Sequence, residues 1–183
     1  LLAQANVGGP RLPAAVFAAG GVFFTTGGYA SVLLVANAEG GSWRWWSTEP
    51  RRLEWASAVV LFVGTLYFGA SLAAALVGDL TTAQEHRLVW SPEVIGCVLF
   101  LLSGHLALVE LRRERRHGGG TDRDWGIAVV NQVGSVLFMV AAIAAFIRPS
   151  SGDELAVGIA NWSTFAGAAC FAAAGAMQEL ARP

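Results

Sequence analysis

The sequence predicts an all-α integral membrane bundle of five transmembrane helices, and three observations carry that prediction. Of the 183 residues, 55% are hydrophobic and only 14% charged, with a mean hydropathy of +0.53; a soluble domain of this length is far more polar. Five apolar stretches reach the roughly 17–25 residues that cross a bilayer at about 1.5 Å rise per residue. A Gly-x-x-x-Phe pattern recurs once in each of them. The apolar runs are continuous, without the period-two alternation of a membrane strand, so helices are expected rather than a barrel.

The first span is read at 13–36, after an irregular lead-in over residues 1–12, "LLAQANVGGPRL". It exceeds twenty residues and is not followed by a small-residue cleavage site and a soluble domain, so it reads as a retained helix and not as a signal peptide. The remaining spans are expected at 53–77, 92–111, 126–147 and 155–180. Residues 13–183 thus form one transmembrane domain, because no link between spans is long enough to bury a core of its own.

Orientation follows from the basic residues, all twelve of which are arginine. Arg44, Arg51, Arg52, Arg112, Arg113, Arg115, Arg116, Arg123 and Arg182 fall on one side of the predicted spans; Arg11, Arg87 and Arg148 fall on the other. The positive-inside rule then puts the C-terminus in the cytoplasm and the N-terminus outside. With no lysine in the chain, a Schiff-base enzyme and a phosphate-binding P-loop are both excluded.

The recurring pattern pairs Gly20 with Phe24, Gly64 with Phe68, Gly96 with Phe100, Gly134 with Phe138 and Gly167 with Phe171. Seven residues after each glycine stands another small residue: Gly27, Ser71, Ser103, Ala141 and Ala174. Offsets of 0, 4 and 7 share a helix face. Such a stripe serves helix packing, since helices in lipid gain little hydrophobic energy from meeting and depend on close backbone approach. Trp55, Trp90, Trp125 and Trp162 each stand at or near the start of a span, five to nine residues ahead of its glycine, as interfacial anchors do. The link "GSWRWWSTEPRRLEW" adds Trp43, Arg44, Trp45 and Trp46. Aromatics interleaved with arginines can stack on single-stranded nucleic acid, but between two spans they read as a segment lying among anionic lipid headgroups, a role extended to Arg112, Arg113, Arg115 and Arg116. No nucleic-acid partner is expected.

The repeated tryptophan, "G-x-x-x-F" and small residues, together with "VWSPEVIGCVLFLLSGHLALVE" and "NQVGSVLFMVAAIAAF", resemble the bacterial multi-pass membrane proteins that carry YrhK-type domains. The resemblance covers the chain from about residue 14 onward. It implies a bacterial cytoplasmic-membrane protein and no established activity, so no catalytic residue is carried over.

The polar residues inside or at the ends of the spans are the remaining candidates. His105 lies about 180° from Gly96 on the helical wheel, off the packing seam, and is expected to make a packing hydrogen bond. Bis-histidine haem is not expected, because His86 and His117 are placed in links on opposite sides. Glu54, Glu110 and Glu179 fall at one membrane depth among Arg51, Arg52, Arg112 and Arg113, where an ionic collar is expected, or alternatively a proton or cation entry site. Asn131 lies about 60° from Gly134 and is expected to bond a neighbouring helix. Cys97 and Cys170 are read as packing thiols, and no metal-ligand spacing, nucleophile motif or dinucleotide fingerprint occurs. Neither a cofactor nor an enzymatic activity is therefore expected. The function expected is that of a structural or accessory subunit of a larger membrane complex, binding lipid and other subunits or itself. The alternative is a small oligomeric channel or transporter using His105, Glu110 and Asn131.

Overall fold

The computed structural model describes residues 11–77 and 80–180, with side chains from residue 15 onward. Five helices long and apolar enough to cross a membrane account for most of them: α1 Arg11–Ala36, α2 Leu53–Ala75, α3 Thr82–Arg116, α4 Asp122–Ala144 and α5 Val157–Glu179. No strand occurs among the described residues, apart from an isolated bridge between Ile147 and Glu154 in the α4–α5 link. The chain is a multi-pass helical membrane protein. Residues 1–10 of the expected lead-in lie outside the described residues, as does Arg182.

α3 is much longer than the span expected at 92–111. Its 35 residues extend about 52 Å at about 1.5 Å each, well beyond a hydrocarbon core of about 30 Å. A capping box starts it: the Thr81 hydroxyl accepts from the Gln84 amide while the Gln84 side chain takes the Thr81 N–H. A π-helical turn then spans His86–Trp90, and the Ser91 hydroxyl donates to the widened turn at the His86 carbonyl at 2.6 Å. His86 is therefore helical, not part of a link. Its ring stacks on Phe146 at 4.8 Å, and Nε2 lies 2.7 Å from the Ile147 carbonyl. Trp90 donates from Nε1 to the Ala142 carbonyl of α4 at 2.9 Å. These contacts tie the extended start of α3 to the far end of α4. At the other end, Thr121 and Asp124 form a second capping box that starts α4.

The helices pack in chain order, α1 on α2, α2 on α3, α3 on α4 and α4 on α5. The ring they begin is not closed, since α1 and α5 do not pack against each other along their lengths. All links between consecutive helices reverse direction, so the ends of α1, α3 and α5 and the starts of α2 and α4 share one end of the bundle. Arg44, Arg51, Arg52, Arg112, Arg113, Arg115, Arg116 and Arg123 all lie at this end.

Candidate functional site

The phenylalanines of all five spans meet at the centre of the bundle. Phe24 lies 6.3 Å from Phe68, 5.3 Å from Phe100, 6.0 Å from Phe138 and 5.0 Å from Phe171 between ring centroids. Phe68, Phe100 and Phe138 are buried, and the edge-to-face and tilted geometries are those aromatic rings prefer. The rings form a plug across the bundle.

Behind the plug, the glycines let two helix pairs close tightly. In the α2–α3 pair a Cβ on Gly64 would sit 2.8 Å from the Phe100 ring, and one on Gly96 would sit 2.9 Å from the Gly64 carbonyl oxygen and 3.2 Å from the Phe68 nitrogen. The α4–α5 pair repeats the exchange: a Cβ on Gly134 would lie 3.0 Å from the Phe171 ring, and one on Gly167 would lie 3.1 Å from the Gly134 carbonyl oxygen. Each phenylalanine thus covers the glycine of the opposite helix. α2 and α3 are further clamped by Ser57 and Ser103, whose hydroxyls each donate to the other residue's carbonyl, at 3.0 and 2.8 Å.

α1 departs from this arrangement. A Cβ on Gly20 or on Gly27 would meet nothing within 4 Å, and both residues are exposed. Its contact with α2 uses the adjacent glycines: a Cβ on Gly21 would meet the Leu72 side chain at 2.6 Å, and one on Gly28 would meet Thr65 at 3.1 Å and the Phe62 backbone at 3.4 Å. Gly20 and Gly27 instead face a groove of about 1210 Å3 between α1 and α5. The groove runs along α1 from Val16 to Asn37 and along α5 from Asn161 to Glu179, with Phe24, Phe138 and Phe171 as its floor. Twenty-odd helical residues cover about 30 Å, the full hydrocarbon thickness. Asn131, Asn161, Thr164 and Gln178 are among its polar groups.

A second, smaller cavity of about 340 Å3 opens at the arginine-rich end and stops at Phe100 and Phe171. Glu54, Glu110, Glu114 and Asp124 line it, with Ser57, Ser103 and Asn131 deeper in. Glu54, Glu110 and Asn131 are thus brought together, whereas His105 is not: it is exposed on the outer face of α3. The hydrogen bond expected of it is absent among the described contacts, because its wheel position turns it away from every neighbouring helix. Glu179 lines the α1–α5 groove.

The expected ionic collar resolves into a local fan. Arg52 pairs with Glu39 at 3.0 Å, Glu49 at 2.8 Å and Glu54 at 3.0 Å. The hydrogen bonds that Arg52 donates to Glu49 and Glu54 raise its guanidinium above its already high ordinary value. The other described ion pair joins Arg115 to Asp122, while Arg112 and Arg115 lie over the Trp125 ring at 5.5 and 5.6 Å. Trp43, Trp45 and Trp46 are exposed, on a link held by Asn37, whose side chain bonds both the N–H and the carbonyl of Arg44. Trp55 donates to the Ser47 carbonyl at 2.7 Å. Cys97 and Cys170 are free thiols, and no cluster of three or more metal-ligating side chains occurs among the described residues.

Sequence reasoning missed Gly21, Gly28, Phe23, Ser57, Glu114 and Asp124. The glycines were visible as doublets seven residues apart, 20–21 and 27–28, and Ser57 as the small residue seven before Gly64. The two acids carry no periodic signal. The fold and the site define a helical membrane protein with an open lateral seam and an acidic cavity. Compared with family models, curated proteins and solved structures, the chain matches none.

Proposed function

We propose that the protein is a non-enzymatic structural or accessory subunit of a larger membrane assembly, and that the α1–α5 groove is the surface through which it assembles. One observation carries this reading. The glycine and its small partner seven residues on are buried in α2, α3, α4 and α5, and exposed in α1. Glycine weakens a helix by about 0.5–1 kcal/mol relative to alanine, a cost that close backbone approach offsets inside the other pairs and that no contact among the described residues offsets at Gly20 and Gly27. The amides along the groove support the same reading, because polar groups at membrane depth find interhelical partners. In this reading the arginine-rich end faces the cytoplasm of a bacterial inner membrane, with Trp43, Trp45 and Trp46 among lipid headgroups. The resemblance to YrhK-type proteins adds the bacterial setting.

The test is native mass spectrometry of the protein extracted gently from its own membranes. A species heavier than the 19.2 kDa chain, containing further copies of the chain or other subunits, is expected; a lone monomer carrying only lipid overturns the reading.

One observation favours a second reading, a small channel or transporter: Glu54, Glu110 and Asn131 line one cavity. Conduction in a single copy would have to pass the phenylalanine plug, so this reading needs either movement of those rings or a path between copies. Ion flux through the protein that Glu110→Gln reduces would select it.

A further inference from the structure

We infer that the occupant of the α1–α5 groove is α1 of a second copy of this chain, seated with Phe23 of each copy over Gly20 and Gly27 of the other. The inference rests on the reading of the groove as an assembly surface and names the partner.

The argument starts from the rule the chain applies to itself. In both tight pairs a phenylalanine of one helix covers a glycine of its neighbour, Phe100 on Gly64 and Phe171 on Gly134. On α1 the equivalent notch is vacant, and Phe24 is not free to fill a notch elsewhere, being held among four rings of the central plug. The same face of α1 carries a second phenylalanine. Phe23 is 79% exposed, more than any other large hydrophobic residue described, and it lines the groove together with Gly20 and Gly27. It stands three residues after Gly20 and four before Gly27, so knob and notch are neighbours on one helix surface. A surface that carries both a knob and the hole for it is self-complementary. A two-fold axis along the membrane normal, which relates copies inserted the same way, fills both holes at once.

The spacing of the notch suits that geometry. Phe17, Gly20, Phe24, Gly27, Ser31 and Leu34 follow one another at alternating steps of three and four residues and all face the groove. That is the heptad seam of helices crossing at about 20°, the shallow packing that keeps contact along a whole span. The groove's length fits the same occupant. It runs through both leaflets, whereas an acyl chain reaches through one. Asn161 and Gln178, which line the groove, make no side-chain bond to another described residue and would face the second chain.

The test is disulfide trapping in native membranes. In a Cys97→Ala, Cys170→Ala background, Ser31→Cys places a near-isosteric thiol on the same seam, outside the notch, at a hydroxyl bonded only to its own helix, so folding and the notch are undisturbed. Mild oxidation is expected to give an adduct of twice the chain mass. The yield should fall several-fold when Phe23→Ala is added. Val98→Cys, exposed on the outer face of α3, should give little adduct. A Ser31→Cys adduct no more abundant than that of Val98→Cys, or one indifferent to Phe23→Ala, overturns the inference. An adduct with a chain of different mass also overturns it, while leaving the assembly reading of the groove intact. No adduct together with a lone monomer in native mass spectrometry overturns both.

Discussion

Adding a single methyl group at Gly96 and at Gly20 should move stability in opposite directions. At Gly96 the new Cβ would lie 2.9 Å from the Gly64 carbonyl oxygen and 3.2 Å from the Phe68 nitrogen. Both are backbone atoms in the middle of α2, so no side-chain rotation relieves the clash. An ordinary contact needs about 3.4 Å or more, so α2 and α3 must separate by about 0.5 Å where the Phe68 and Phe100 rings exchange places. Overpacking of this kind costs about 1–3 kcal/mol, partly offset by the gain of about 0.5–1 kcal/mol that alanine brings to a helix interior. Gly96→Ala is therefore expected to lose about 1–2 kcal/mol net. Gly20→Ala meets no atom within 4 Å, so only the helix gain remains and the monomer should be unchanged or more stable by up to about 1 kcal/mol. The assay is reversible unfolding in mixed micelles titrated with dodecyl sulfate, followed by tryptophan fluorescence and circular dichroism, at protein dilutions that keep the chain monomeric. A Gly96→Ala midpoint at the wild-type value, or a Gly20→Ala loss equal to it, would refute the reasoning.

The central plug and the serine clamp make two further predictions in the same assay. Phe100→Ala removes a ring that is 0% exposed and touches Phe24, Phe68, Phe138 and Phe171, and should cost about 3–5 kcal/mol; Phe24→Ala, only partly buried, should cost less. Ser57→Ala and Ser103→Ala each remove one hydroxyl-to-carbonyl bond across α2 and α3, at about 1 kcal/mol apiece. The two hydroxyls also face each other at 3.2 Å, so the double variant should lose less or more than the sum; strict additivity in a double-mutant cycle would show that they act independently.

The sequence was legible where a local periodicity had a single physical cause. Five apolar runs of this length read as spans, and in α2, α3, α4 and α5 the patterned glycine marked the face on which two backbones approach, whereas in α1 the adjacent Gly21 and Gly28 do so. The ends of α3 were less legible, because a span predicted from hydropathy stops where polarity rises, while the helix continues through His86–Trp90 by a capping box and a π turn. His105 and Glu110 show both the reach and the limit of a wheel diagram. The wheel puts His105 about 180° from Gly96 and Glu110 near the glycine stripe, and in the structure His105 faces outward while Glu110 faces the cavity formed with α2 and α4. Which helices close that cavity around Glu110 is encoded in no single-helix pattern. Glu114 and Asp124 join the same cavity from either side of the α3–α4 turn, a meeting made by tertiary packing alone.

The contrast between α1 and the other helices bears on how such a chain is put together. α2 with α3, and α4 with α5, are hairpins that satisfy their own glycine–phenylalanine exchange, so each has a complete interface before it meets the rest of the bundle. α1 has half of one: Gly21 and Gly28 close on α2, while Gly20 and Gly27 stay open. A lipid-facing helix would keep its stability and lose nothing by carrying leucine at those two positions. Two glycine lines, one residue apart and each seven residues long, are the arrangement of a helix built to be flanked on both sides. Since Phe23 lies beside the open line and points away from the bundle, the missing flank is best supplied by a chain presenting the same phenylalanine. Replacing Gly20 and Gly27 together by leucine should then leave the five-helix monomer folded and abolish its association, separating the packing that makes the bundle from the packing that joins it to another.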